Sequence, residues 1–128
     1  MKNNPKDQIS LQVVFDNQIV FESDGSWLYP LFDLEDFLKS HPIPMEHALV
    51  RDKVIGKAAA LLLIRLGAGR VHGELMSELA DKTLSHANLP HSYDRCVSRI
   101  DCKTEEILLK IDDPEKAYKI ICKRANRC

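Results

Sequence analysis

The stretch that decides the fold is Asp52-Lys53-Val54-Ile55-Gly56-Lys57-Ala58-Ala59-Ala60-Leu61-Leu62-Leu63-Ile64-Arg65-Leu66-Gly67. From Val54 to Ile64 every residue is apolar or glycine except Lys57. A helix that is apolar on all sides is a buried one. The pattern predicts a central helix over His47 to Leu66, stopped by Gly67 in the left-handed conformation that ends many helices. Downstream, Val71, Gly73 and Leu75 alternate with His72 and Glu74, which predicts a strand over Arg70 to Met76. Ser77 then starts a second helix to Ala87: it is a good N-cap, and Glu78 and Asp81 put acid in the first turn. Tyr93 to Ile100 reads as a strand and Thr104 to Lys110 as a short helix. Asp113-Pro114, a cap followed by a first-turn proline, opens a helix to Arg124.

Upstream, Leu11 to Phe15 and Ile19 to Glu22 are β-rich runs around Asp16-Asn17-Gln18, a hairpin signal. Leu31, Leu34, Phe37 and Leu38 form the stripe of a helix over Leu31 to Lys39, broken at His41-Pro42-Ile43-Pro44. Strands interleaved with helices imply a layered α/β sandwich with a mixed sheet.

The chain of 128 residues has the size of one domain. No linker or repeat divides it, and residues 1–9 are expected to form a flexible N-terminus. A net charge of −1 offers no global field for nucleic acid or an anionic membrane, so neither partner is expected. The longest apolar run, Ala58 to Ile64, is far shorter than the roughly 20 residues that span a bilayer. Without a secretory signal the expected location is the cytoplasm, where Cys96, Cys102, Cys122 and Cys128 would be free thiols. His72-Gly73-Glu74 has the His-x-Glu form of zinc deaminases, but no Cys pair follows it, and Cys96 and Cys102 are too far apart to grip one ion. No metal or other cofactor is expected.

Three segments together resemble a known family: Asp52 to Ala60 with the following strand and Ser77, Gly25 to Leu31 with its Pro30-Leu31, and Cys102-Lys103-Thr104-Glu105 before Asp113-Pro114-Glu115-Lys116-Ala117-Tyr118. The family is an uncharacterised prokaryotic domain of unknown function in the cytidine-deaminase-like superfamily. The resemblance covers roughly Leu11 to Ile121. Where the family pattern has Cys-Pro-Met-Glu, this chain has Lys103-Thr104 between Cys102 and Glu105. The resemblance implies a three-layer α/β/α sandwich and a homo-oligomer. In deaminases the buried helix opens with a metal ligand and the acid/base glutamate, and the second helix opens with two cysteines. Here those stretches are Ile55-Gly56-Lys57 and Glu78 to Lys82, which hold none of them, so zinc-dependent deamination is excluded.

The candidate site is drawn around Lys57, the one charge in the apolar stretch, with Lys53 four residues earlier on the same helical face. Lys57 could instead run to the edge of the layer or pair with Asp52, Glu74 or Glu105. Ser77, at a strand end and helix start, gathers free N–H groups that suit an anion. Cys102 and Glu105 could converge nearby, and Trp27 and Tyr29 are read as core or interface aromatics. Three functions stay open: a metal-free module binding a small anionic, nucleotide-like ligand, an enzyme of other chemistry using Lys57 or Cys102, and an oligomeric interaction protein without a working pocket.

Overall fold

The computed structural model describes residues 9–100 and 103–127. Its centre is a five-stranded sheet in the order β2-β1-β3-β4-β5. The strands are β1 (Leu11–Phe15), β2 (Gln18–Ser23), β3 (Leu49–Ile55), β4 (Arg70–Ser77) and β5 (His91–Val97). β1 runs antiparallel to both β2 and β3, whereas β3, β4 and β5 are parallel. The sheet is therefore mixed, as expected. The helices are α1 (Tyr29–Ser40), α2 (Lys57–Leu66), α3 (Glu78–His86), α4 (Lys103–Ile107) and α5 (Pro114–Ala125).

The long helix expected over His47 to Leu66 is two elements. Its first half is β3, the middle strand of the sheet, and only the second half is α2. The physical reason lies in Leu49 to Ile55. β-Branched Val50, Val54 and Ile55 favour an extended chain, and buried Val50 is followed by exposed Arg51. Gly56 then takes an extended conformation at φ −96°, ψ −175° and turns the chain into α2. The apolar run of α2 had masked this change of period.

α2 is the hub of the core. It packs against α1, α3, α4 and α5 as well as β3. Leu61, Leu63, Leu84, Leu108 and Ile121 are fully buried with Leu11, Val13, Val50 and Val71 from the strands. α5 packs on α2 and reaches α1 through a Phe32–Tyr118 ring contact. The sheet also carries a polar row, Glu22, Gln12, Arg51, His72 and Ser92, each paired in register with the next.

Several local expectations hold. Gly67 ends α2 at φ 78°. Ser77 caps α3 by accepting from the Ala80 N–H, and the Asp113 side chain caps α5 by accepting from the Glu115 N–H. His72 is a half-buried strand residue bonded to Ser92 and Asp94. Cys96 is a free thiol, but Cys122 is held in a disulfide, which corrects the expectation of four free thiols. Cysteine spacing along the chain does not report which sulfurs the fold brings together. Cys128 lies outside the described residues. No helix among the described residues is long and apolar enough to cross a membrane.

Asp16 and Asn17 sit at φ 55° and 61°, the two-residue hairpin turn whose twist matches the strands. Asn tolerates this conformation and a β-branched residue does not. Asn17→Val should therefore lower stability in urea unfolding by about 1–2 kcal/mol. An unchanged midpoint would show that the turn adapts at no cost.

Candidate functional site

The starts of α2 and α3 meet at one side chain. The Glu105 carboxylate, on α4, is only 4% exposed. Its Oε2 accepts the Lys57 backbone N–H at 2.7 Å and the Ser77 hydroxyl at 2.8 Å. Its Oε1 accepts the Ile100 N–H at 3.0 Å. α2 has no side-chain cap of its own, so Glu105 provides the acceptor for its first turn from a distant part of the chain. Negative charge at a helix start is favourable, and hydrogen bonds to an ion are stronger than neutral ones. Ser77 accepts from Ala80 while donating to Glu105, so it couples α3 to the same carboxylate. Gly56 makes the approach possible: a Cβ there would lie 2.8 Å from Glu105 Oε2.

Of the residues singled out in the sequence, Lys57, Ser77 and Glu105 come together. It is the backbone of Lys57 that takes part, however. The Lys57 side chain, 3% exposed, runs to the segment after α4 and donates to the Leu109 carbonyl at 3.0 Å and to Asp112 at 2.8 Å. That hydrogen bond and charge hold the Asp112 carboxyl below the usual carboxylate range. None of the acids weighed in the sequence is the ammonium's partner. Lys53 does not share a helical face with Lys57, because it lies on β3. Cys102 lies outside the described residues.

Beside Glu105 opens a cavity of about 440 Å³. It lies past the end of β3 and along the first turn of α2. Trp27, Leu28, Val54, Ala58, Ala59 and Ile100 give it apolar walls, and Ser10, Ser26, Asp52, Lys53 and Glu105 add polar groups. The loop over one side is fixed by Ser10 Oγ donating to the Gly25 carbonyl at 2.6 Å and by the Gly25 N–H donating to Ser23 Oγ at 3.1 Å. Trp27 adopts φ 55°, a strained backbone for a bulky residue and one often associated with functional loops. Its ring meets Tyr29 edge-on at 5.2 Å.

Sequence reasoning passed over Asp52 as a site residue. Burial pushes its carboxyl up to about 7; the backbone N–H groups of Val54 and Lys53 oppose the shift, and the charge of Glu74 adds to it. The missed signal was an acid one residue before Lys53 and four before Gly56, which faces inward once Leu49 to Ile55 is read as a strand.

The groups at the two helix starts do not fit a zinc centre. They present N–H and O–H donors to a carboxylate, where zinc needs thiolate or imidazole lone pairs. Among the described residues no three or more His, Cys, Asp or Glu side chains form a metal-ligating group.

Fold and site thus define an α/β domain with a buried carboxylate at two helix starts and a cavity beside it. The chain belongs to a family described as a domain of unknown function, DUF1893 (TM1506), whose model matches residues 2–124. It is similar to the crystal structure of a DUF1893 family protein, TM1506, from Thermotoga maritima. The two share 28% sequence identity and superpose with a TM-score of 0.81, over 93% of this chain and 82% of that one. Comparison with curated proteins found no match.

Two outcomes test this geometry. Gly56→Ala should drive a methyl into the Glu105 carboxylate and destabilise the fold by about 1–3 kcal/mol in urea unfolding; a neutral result would mean that Glu105 moves aside freely. Asp52 binds its proton more tightly folded than unfolded. Its ionisation therefore opposes folding as pH rises from about 4 towards 7. Asp52→Asn should raise the melting temperature at pH 8, with the gain shrinking at pH 5. An equal effect at both pH values would contradict a buried, titrating Asp52.

Proposed function

We propose that this chain is a metal-free, non-deaminating binding domain whose cavity takes a small nucleotide-like ligand. The observation that carries the reading is the position of Glu105: an internal carboxylate bridges the two helix starts and leaves an apolar-walled cavity of about 440 Å³ next to it. That volume is in the range of small-molecule sites, roughly 300–1,000 Å³. The cytidine-deaminase-like relationship is part of the proposal. What supports it is that the starts of the buried helix and the second helix converge, as the resemblance requires, with Glu105 occupying the point where a deaminase would present its ligands.

Lys53 lies on the cavity wall. The Lys57 ammonium is bound to Leu109 and Asp112 and is not part of that wall. The helix start at Ser77, the other expected anion site, already holds the Glu105 carboxylate. Ring atoms of the ligand would pack against Trp27 and the alanines of α2.

Thermal melts with adenosine, AMP, CMP and inorganic phosphate test the reading. A ligand at 100 times its dissociation constant adds about 2.7 kcal/mol to stability. A nucleoside or nucleotide should raise the melting temperature by several degrees, and phosphate alone should not. Ala59→Leu, which fills the cavity, should remove the shift while leaving the protein folded. No shift with any of these compounds at millimolar concentration would overturn the proposal, as would a full shift in Ala59→Leu.

A further inference from the structure

We propose that Asp52 is the residue that reads the ligand in this cavity, and that it selects a flat group bearing an amidine-type edge, cationic or rich in N–H donors. The inference rests on the cavity being a ligand site and names the chemistry that the site accepts.

Four observations converge on it. First, Asp52 lines the cavity, and among the described residues no side chain donates a hydrogen bond to its carboxylate. Acceptor capacity is left over, since an ionised carboxylate accepts about four hydrogen bonds. Second, the neighbouring carboxylate, Glu105, is held by three donors of the chain itself, which keep it in place as a second negative group on the wall. An anionic group brought against these two would be repelled, and a donor or cation attracted. Third, Trp27, Leu28, Val54, Ala58, Ala59 and Ile100 give the cavity apolar walls. A ligand there loses its water, and an unpaired polar edge costs more than in solution. Fourth, Trp27 is 39% exposed beside the cavity, so part of its ring is open to a flat or cationic partner.

The charged and titratable groups around Asp52 are Arg51 and Lys53 on its own strand, His72 and Glu74 on β4, Asp94 on β5 and Glu105 on α4. Asp52 must be ionised to hold a cation, and burial places its titration at about 7. For a single coupled proton, affinity for a permanently charged amidinium should then rise about tenfold between pH 6 and pH 8.

Benzamidine is a suitable probe, with benzoate as the anion of matching shape, and titration calorimetry the readout. Benzamidine should bind the wild type, about tenfold tighter at pH 8 than at pH 6, and benzoate should not compete. Asp52→Asn keeps the size and shape of the side chain and removes its charge. It should weaken benzamidine at least tenfold at pH 8 and flatten the pH profile, whereas His72→Gln should keep the profile. The proposal is overturned if benzoate binds as well as benzamidine, if benzamidine does not bind, or if Asp52→Asn keeps both affinity and slope. Should Asp52→Asn fail to fold, the wild-type pH slope and the benzoate comparison decide. If nucleotides stabilise the protein through the cavity while benzamidine fails, the cavity remains a ligand site and only this selectivity falls. If neither binds, both readings fall.

Discussion

Everything near the site depends on one carboxylate reaching two helix starts. Glu105 is far along the chain from Lys57 and Ser77, yet its Oε2 bonds to both. A helix start buried without an acceptor would leave N–H groups unpaired in the core, at a cost of about 1–3 kcal/mol for each. α2 begins at Gly56, which has no side chain to offer, so the acceptor has to come from elsewhere. The same missing side chain lets Glu105 come within bonding distance. Glycine is thus required here for space, because its φ of −96° is open to any residue.

This tie organises the surroundings. It fixes α4 against α2 and α3, and the segment that follows α4 then meets the Lys57 ammonium at Leu109 and Asp112. Both ends of Lys57 are therefore used within the protein: its N–H by Glu105 and its ammonium by the segment before α5. The positive features that suggested an anion site, Lys57 and the helix start at Ser77, are met by internal acids. What is left facing the cavity is a surface of acceptors and apolar carbon, with Lys53 as its basic residue.

Most of the secondary structure could be read from the sequence where local chemistry is decisive. Asp16-Asn17, Gly67, Ser77 and Asp113-Pro114 each mark a turn or a helix end through their own conformational or hydrogen-bonding preference, and each does so in the fold. The central strand was not legible in the same way. Leu49 to Ile55 precedes an apolar helix with only Gly56 between them, and a continuous apolar run hides the change from a period of two to one of 3.6. Losing β3 also misplaced Lys53 and concealed Asp52. Ser77, Lys57 and Glu105 could be chosen from residue type and from the family resemblance, but their bonding could not. That Lys57 pairs with Asp112 rather than Asp52, Glu74 or Glu105 depends on the path after α4, which no local pattern encodes. The disulfide at Cys122 was hidden for the same reason.

The central claim, that Glu105 and Ser77 act as one unit at the joined helix starts, is tested most directly by a double-mutant cycle in urea. It compares the wild type, Glu105→Ala, Ser77→Ala and the double variant. Independent sites add to within about 0.3–0.5 kcal/mol, whereas residues in one network couple by more. The expected result is a coupling of at least about 1 kcal/mol, with the double variant clearly more stable than the sum of the two losses would allow. Losses that add within error would contradict a shared carboxylate at the two helix starts.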